Sequence, residues 1–136
     1  MFFNIQPTNG LAIYDQITRQ VKFAVASGSL RPGELVPSVR ELARLLTVNP
    51  NTVSRAYREL QSAGVLAPRR GTGLEVTAEA VKKCRQERLS LIGDRLRSVL
   101  HEADQSGLDT AAINKLVSRE ISKLPEQKPP EKRTET

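Results

Sequence analysis

The chain has no tryptophan and only one histidine, one cysteine and one methionine among its 136 residues. A nucleophilic triad, a His-rich metal site and a disulfide framework are all hard to build from that stock, which excludes most enzyme classes and argues for no cofactor and no metal. The single cysteine, Cys84, suits a reducing compartment. Long hydrophobic runs are missing too. Nothing approaches the roughly 18 apolar residues of a membrane span, and Met1-Phe2-Phe3-Asn4 lacks the basic start and apolar core of a signal peptide. The expectation is a soluble, cytoplasmic protein that makes no use of a membrane. Acidic charge is in deficit: 15 Asp plus Glu stand against 21 Lys plus Arg, a net charge of +6, which favours a polyanionic partner. At about 150 residues per domain, the length allows one domain or a small domain with an appendage. Hydrophobic residues make up 38%, enough for a small core that gains from a partner chain.

What is present is organised by helix signals. Residues 1–10 carry Pro7, Asn9 and Gly10 and read as a lead-in segment. Ile13, Ile17, Val21, Ala24 and Val25 then recur at helical spacing up to Gly28, a C-terminal cap. The segment 29–37, with Pro32-Gly33 and Pro37, must be a loop holding at most a short extended piece. Ser38 and Glu41 form an S-x-x-E capping box, and Val39, Leu42, Ala43, Leu45 and Leu46 make the apolar face of a second helix. Thr47-Val48-Asn49-Pro50 interrupts it after about two turns. Asn49 caps a third helix with Pro50 in its first position; Val53, Ala56, Tyr57 and Leu60 face inward until Gly64. Two short extended pieces, 65–67 and 74–76, flank Pro68-Arg69-Arg70-Gly71-Thr72-Gly73 and predict a β-hairpin.

Beyond Thr77 the pattern is helical again. Leu89, Ile92, Leu96, Val99 and Ala103 step by 3, 4, 3 and 4, an a/d-type seam over two heptads. Gln105-Ser106-Gly107 breaks it, Asp109 caps a last helix, and Ile113, Val117 and Ile121 form a second stripe with Leu116 and Leu124. More apolar surface is exposed by these stripes than a single helical hairpin can hide, so Leu89, Ile92, Leu96, Val99, Ile113, Val117 and Ile121 are candidate dimerisation residues. The residues from Pro125 on have no apolar content and read as a disordered tail.

The stretch from Leu42 to Ala56 is the most informative for function. Leu42, Ala43, Leu46, Val48, Val53 and Ala56 are small or apolar where the two helices of a helix-turn-helix must cross. They leave Asn51, Thr52, Ser54, Arg55 and Arg58 on the other side, hydrogen-bonding and cationic groups suited to the major groove of double-stranded DNA. An ordinary helical hairpin with a solvated polar face is the bland alternative; the two caps and the basic hairpin that follows weigh against it. Helix, helix, helix, hairpin is the order of a winged helix-turn-helix, in which Arg69 and Arg70 lie against phosphates or in the minor groove and Gly71 and Gly73 let the backbone turn sharply. The fold class expected is therefore mainly α with a small β-hairpin: a winged helix-turn-helix over 11–76, then a short two-helix dimerisation part over 77–124, with 125–136 as the tail.

Through Ile13-Tyr14-Asp15-Gln16-Ile17, Leu30-Arg31-Pro32-Gly33-Glu34, the run from Val36 to Ala43, and Asn49-Pro50-Asn51-Thr52-Val53-Ser54-Arg55-Ala56-Tyr57, the chain resembles the GntR family of bacterial transcriptional regulators. Val-Asn-Pro-Asn-Thr-Val followed by Arg-Ala-Tyr looks most like its YtrA-type branch, whose members carry a short two-helix C-terminal part. The resemblance implies a DNA-binding homodimer repressing its own operon, commonly one encoding an ABC transporter. It also implies DNA contacts at Arg40, Thr52 and Arg70-Gly71. Many members have arginines where this chain has Pro50 and Ser54, so base reading by those arginines does not carry over; Asn51 and Arg55 take that part. Thr47 stands where glycine is commoner, which implies a strained or altered turn.

Three other functions compete. A winged-helix protein-interaction module would not touch DNA, but Arg40, Arg55, Arg69 and Arg70 argue against it. A ligand-gated regulator needs a cavity of about 300 Å³ or more; the segment 77–124 could form one only between subunits, so any small-molecule effector is unknown. An enzyme lacks its catalytic parts. Cys84 and His101 read as a packed thiol and a surface imidazole, and Lys82, Lys83, Arg85 and Arg88 as a solvated helix face or an extension of the DNA-facing surface.

Overall fold

The computed structural model describes residues 11–125; the lead-in expected at 1–10 and the tail beyond Pro125 lie outside the described residues. The architecture is the expected one, helices with a single small hairpin. Helix α1 spans Ile13–Ser27, α2 Val39–Leu46 and α3 Pro50–Ser62; strands β1 (Leu66–Arg69) and β2 (Gly73–Val76) follow, then α4 (Ala80–Gln105) and α5 (Thr110–Ser122). The chain divides into two compact units, the first ending at Leu89 and the second beginning at Ser90.

Local chemistry sets the boundaries. α1 stops at Gly28, which is left-handed, and its N–H donates to the Val25 carbonyl. Both halves of the capping box form: the Glu41 N–H donates to Ser38 Oγ at 3.1 Å and the Ser38 N–H to Glu41 Oε1 at 3.0 Å. These two bonds satisfy donors that a helix start leaves unpaired. Because the carboxylate accepts the Ser38 backbone N–H, Glu41 ionises below its ordinary range. The turn is strained as expected: Thr47 is left-handed at φ 55, alone among the described non-glycine residues in having positive φ. Asn49 caps α3 by accepting the Asn51 N–H at 2.8 Å.

The core of the first unit is built from Ile17, Val21 and Val25 of α1, Leu42 and Ala43 of α2, Val53, Ala56 and Leu60 of α3, and Leu66 and Val76 of the hairpin. One expected core residue is not there. Leu45 is 72% exposed, because at about 100° per residue the buried arc of α2 runs through Val39, Leu42, Ala43 and Leu46, and Leu45 falls beyond its edge. The extended piece anticipated in 29–37 pairs with β2: the Val36 N–H donates to the Leu74 carbonyl at 3.0 Å and the Val76 N–H to the Glu34 carbonyl at 2.9 Å. Covering that edge of the hairpin removes a row of unpaired backbone groups.

The core also continues past residue 76, where the winged domain was expected to end. Ala80 and Cys84, on the first turns of α4, are buried in the same cluster. The basic run 82–88 explains how they are held. Lys83 Nζ donates to the Ala63 carbonyl at 3.3 Å, and Arg85 Nε to the Ala26 carbonyl at 3.0 Å. Two cations thus sit at the C-terminal ends of α3 and α1, where unpaired carbonyls and the helix dipole favour positive charge. Lys22 and Glu87 pair at 3.0 Å beside them. Lys83 and Arg85 thus fasten α4 to the ends of α3 and α1.

The second unit is different. From Ser90 to Pro125 no residue is buried. Ile92, Leu96, Val99, Val117 and Ile121 are all exposed, as is Leu89 immediately before them, and Ile113 is half-buried. The expected two helices are present and do not pack along each other's length, so their apolar stripes are largely exposed among the described residues. Among the described residues no helix is long and apolar enough to cross a membrane.

Candidate nucleic-acid interface

α3 is held by its buried face and presents the other. Val53, Ala56, Tyr57 and Leu60 lie in the core, and the Tyr57 hydroxyl donates to the Pro37 carbonyl at 2.7 Å. That bond ties the middle of α3 to the residue preceding the cap of α2 and so fixes the crossing of the two helices. Burial, and then the charge of Glu41, push the Tyr57 phenol well above its ordinary range, so it remains a donor throughout the neutral range. The opposite side of α3 carries Asn51, Arg55 and Arg58, all exposed, with Thr52 and Ser54 half-exposed beside them. Arg40, at the start of α2, is exposed as well.

The hairpin pairs antiparallel, Leu66 opposite Val76 and Arg69 opposite Gly73. β1 is longer than the expected 65–67: it takes in Pro68 and Arg69, leaving a tip of Arg70, Gly71 and Thr72. Gly71 and Gly73 have φ of 75° and 119°, backbone that a side chain would strain, so this tight tip needs glycine at both places. Arg70 and Gly71 are exposed at its end.

Of the nine candidate DNA-contacting residues, two are already engaged. Arg69 Nε lies 3.4 Å from Glu75 Oε1 on the facing strand, which offsets its charge and leaves Arg70 as the unpaired cation of the tip among the described residues. Arg55 stacks on Tyr14, its guanidinium carbon 3.7 Å from the ring centroid, and its Nε lies 4.0 Å from Glu59 Oε1. Sequence reasoning missed Tyr14, Glu59 and Glu75 as neighbours of the site. The i,i+4 spacing of Arg55 and Glu59 was a readable signal; the pairing of Tyr14 with Arg55 depends on how α1 packs on α3 and has no local signature.

Elsewhere in the first unit, a groove of about 340 Å³ is lined by Leu30, Leu35, Leu45, Glu34 and Glu41, among others. Both carboxylates accept backbone N–H groups, Glu34 from Arg31 and Glu41 from Ser38. Among the described residues no group of three or more His, Cys, Asp or Glu is placed to hold a metal ion.

The profile of the bacterial regulatory proteins of the gntR family matches residues 13–76. Over 118 residues the chain is 34% identical to the HTH-type transcriptional repressor YtrA of Bacillus subtilis (strain 168), covering 87% of this chain and 90% of that one. The chain belongs to the GntR family. Solved structures agree: a transcriptional antiterminator from Listeria monocytogenes EGD-e superposes with a TM-score of 0.63 at 31% identity, covering 89% of this chain and 90% of that one. YtrA from Sulfolobus acidocaldarius, a GntR-family transcription factor, does so with a TM-score of 0.57 at 31% identity, covering 74% and 99%. The GntR protein described here is a transcriptional regulator with a DNA-binding helix-turn-helix and not an enzyme, and its likeness to YtrA-type proteins runs beyond the winged domain.

Proposed function

We propose that this GntR protein is a homodimeric repressor that acts in the cytoplasm on an inverted-repeat operator. α3 enters the major groove, where Asn51, Thr52, Ser54 and Arg55 meet base edges. Arg40 and Arg58 meet the backbone, and the wing brings Arg69, Arg70 and the Gly71 backbone to phosphates or the minor groove. One observation carries this reading: α3 turns its polar and cationic side outward while a continuous apolar side locks it in the core. Repression is supported by the likeness to the Bacillus subtilis repressor YtrA.

The dimer is supported by the second unit. Among the described residues Leu89, Ile92, Leu96, Val99, Val117 and Ile121 are exposed and Ile113 is half-buried beside them, and a second chain presenting the same stripes would bury them. A single winged module also gives too little affinity to compete with genomic DNA, whereas two modules joined by symmetry demand a two-fold operator. Selection of duplexes from a random pool by the full chain tests this. An enriched inverted repeat, protected in a footprint of the promoter upstream of the protein's own operon, is expected. A single half-site, or no enrichment over random duplexes, would refute it.

A further inference from the structure

The packing of α1 against α3 does not depend on the contact between Arg55 and Tyr14: Ile17, Val21, Val53, Ala56 and Leu60, all fully buried, already join the two helices. Yet the two side chains meet at 3.7 Å at the rim of that packing. Tyr14, the second residue of α1, is half-buried and packed against the core, so its ring is a fixed platform. A contact this short between the guanidinium carbon and the ring face favours parallel stacking, because a guanidinium turned edge-on would press its nitrogens into the ring. All five guanidinium N–H groups lie in the plane, so stacking occupies its face and leaves its edge, which is the part that forks onto O6 and N7 of guanine. Glu59, one turn along α3, lies 4.0 Å from Nε, beyond hydrogen-bonding range, and attracts the guanidinium without consuming its donors.

We propose that Tyr14 is a positioning residue for base reading: its ring holds the Arg55 guanidinium in one plane, so that the arginine meets guanine with its rotamers already restricted. This rests on the reading of α3 as the helix in the major groove. An arginine free to sample its rotamers would lose that freedom on binding any base pair that accepted it. One held on the ring has given up part of that freedom in the folded protein, and its fork fits one orientation of acceptors. Tyr14 touches no base; it acts through Arg55.

The test uses the full chain and the duplex that the unmodified protein enriches from a random pool, with single-base-pair variants of it. Arg55→Ala first identifies the base pair whose preference depends on Arg55. At that base pair Tyr14→Leu should reduce discrimination roughly three- to tenfold, with preferences elsewhere and the salt dependence unchanged. Tyr14→Phe, which keeps the ring, should stay within about twofold of the unmodified protein. In the Arg55→Ala background Tyr14→Leu should have no further effect. Tyr14→Met, which fills similar space without a π-face, serves if Tyr14→Leu lowers the melting temperature. The inference is overturned if removing the ring leaves discrimination intact, if it heightens discrimination because the ring had kept Arg55 from DNA, or if it weakens every position alike. Arg55→Ala without a position-specific effect would overturn the major-groove assignment of Arg55 and this inference together. An effect in Arg55→Ala but not in the ring-less variants overturns this inference alone.

Discussion

The first unit, ending at Leu89, and the second, beginning at Ser90, are built by opposite rules. The first buries residues from four helices and both strands in one cluster, and its polar groups at helix ends find partners within the chain. The second has a capped last helix and buries none of its described residues: Asp109 accepts the Ala112 N–H at 2.8 Å, yet Leu96, Val99 and Ile121 are exposed. Capping and helical periodicity are enough to form a helix in this setting. Tertiary stability needs apolar faces that meet, and in the second unit of a single chain they do not. The helix-turn-helix and the wing lie in the first unit, and the exposed apolar stripes of α4 and α5 lie almost wholly in the second.

Substitutions in the two units should fail in different ways. Leu60→Ala should destabilise the first unit by about 2–5 kcal/mol, the cost of a cavity in a filled core, read from chemical denaturation; a loss below about 1 kcal/mol would mean that the core is looser than its burial implies. Leu96→Asp should leave the first unit folded, yield monomer in sedimentation, and weaken operator binding by about a hundredfold or more as the two modules come apart. If the unmodified protein sediments as a monomer at concentrations where it binds its operator, pairing by the second unit is wrong.

Smaller effects are expected on the recognition surface. Arg55→Ala should lose about 1–3 kcal/mol of discrimination at one base pair while random duplexes bind nearly as before; equal weakening on both would place Arg55 on a phosphate. Replacing Arg69 and Arg70 together by alanine should lower the log–log salt slope by about 0.9 for each phosphate that is no longer neutralised. Because Glu75 offsets Arg69, Arg70→Ala alone should account for most of that change, and an unchanged slope would turn the wing away from DNA.

The smallest effect tests how far the first unit extends. Burial pushes the Cys84 thiol up to about 11 from an ordinary 9.0, with Lys22 opposing and Glu87 reinforcing the shift. The folded state thus keeps its proton where the unfolded chain releases it. This contribution to stability is fully present below pH 9.0 and is lost as pH rises through about 11. Cys84→Ala should flatten the fall of the denaturation midpoint across that window. Rapid reaction of the native thiol with an alkylating reagent near neutral pH would show that the start of α4 is not packed as described.

Much of the fold was legible because its signals are short-range. Ser38 and Glu41 lie three residues apart, Asn49 and Pro50 are adjacent, and Gly28 sits one residue past its helix; each acts on backbone groups within a single turn. The set of exposed residues on α3 follows from the same periodicity. Less was legible where the deciding contact joins distant segments. Leu45 is as apolar as Leu42, and only the angle at which α2 meets the core separates them. The basic run at 82–88 looked like a solvated face because the carbonyls of Ala26 and Ala63 that two of its members bind are far away in sequence.

Residues a few positions apart were enough to dictate the helices, the turn between α2 and α3, the wing and the outward cationic set, since capping, proline geometry and apolar period act locally and do not wait for the rest of the chain. Folding of the whole chain was needed to bring the core as far as Cys84, to set Glu75 against Arg69 and Tyr14 under Arg55, and to leave the stripes of α4 and α5 open. Each of these depends on the distance and angle between elements far apart in the chain, which the packing of the whole core fixes and no local stretch of residues encodes.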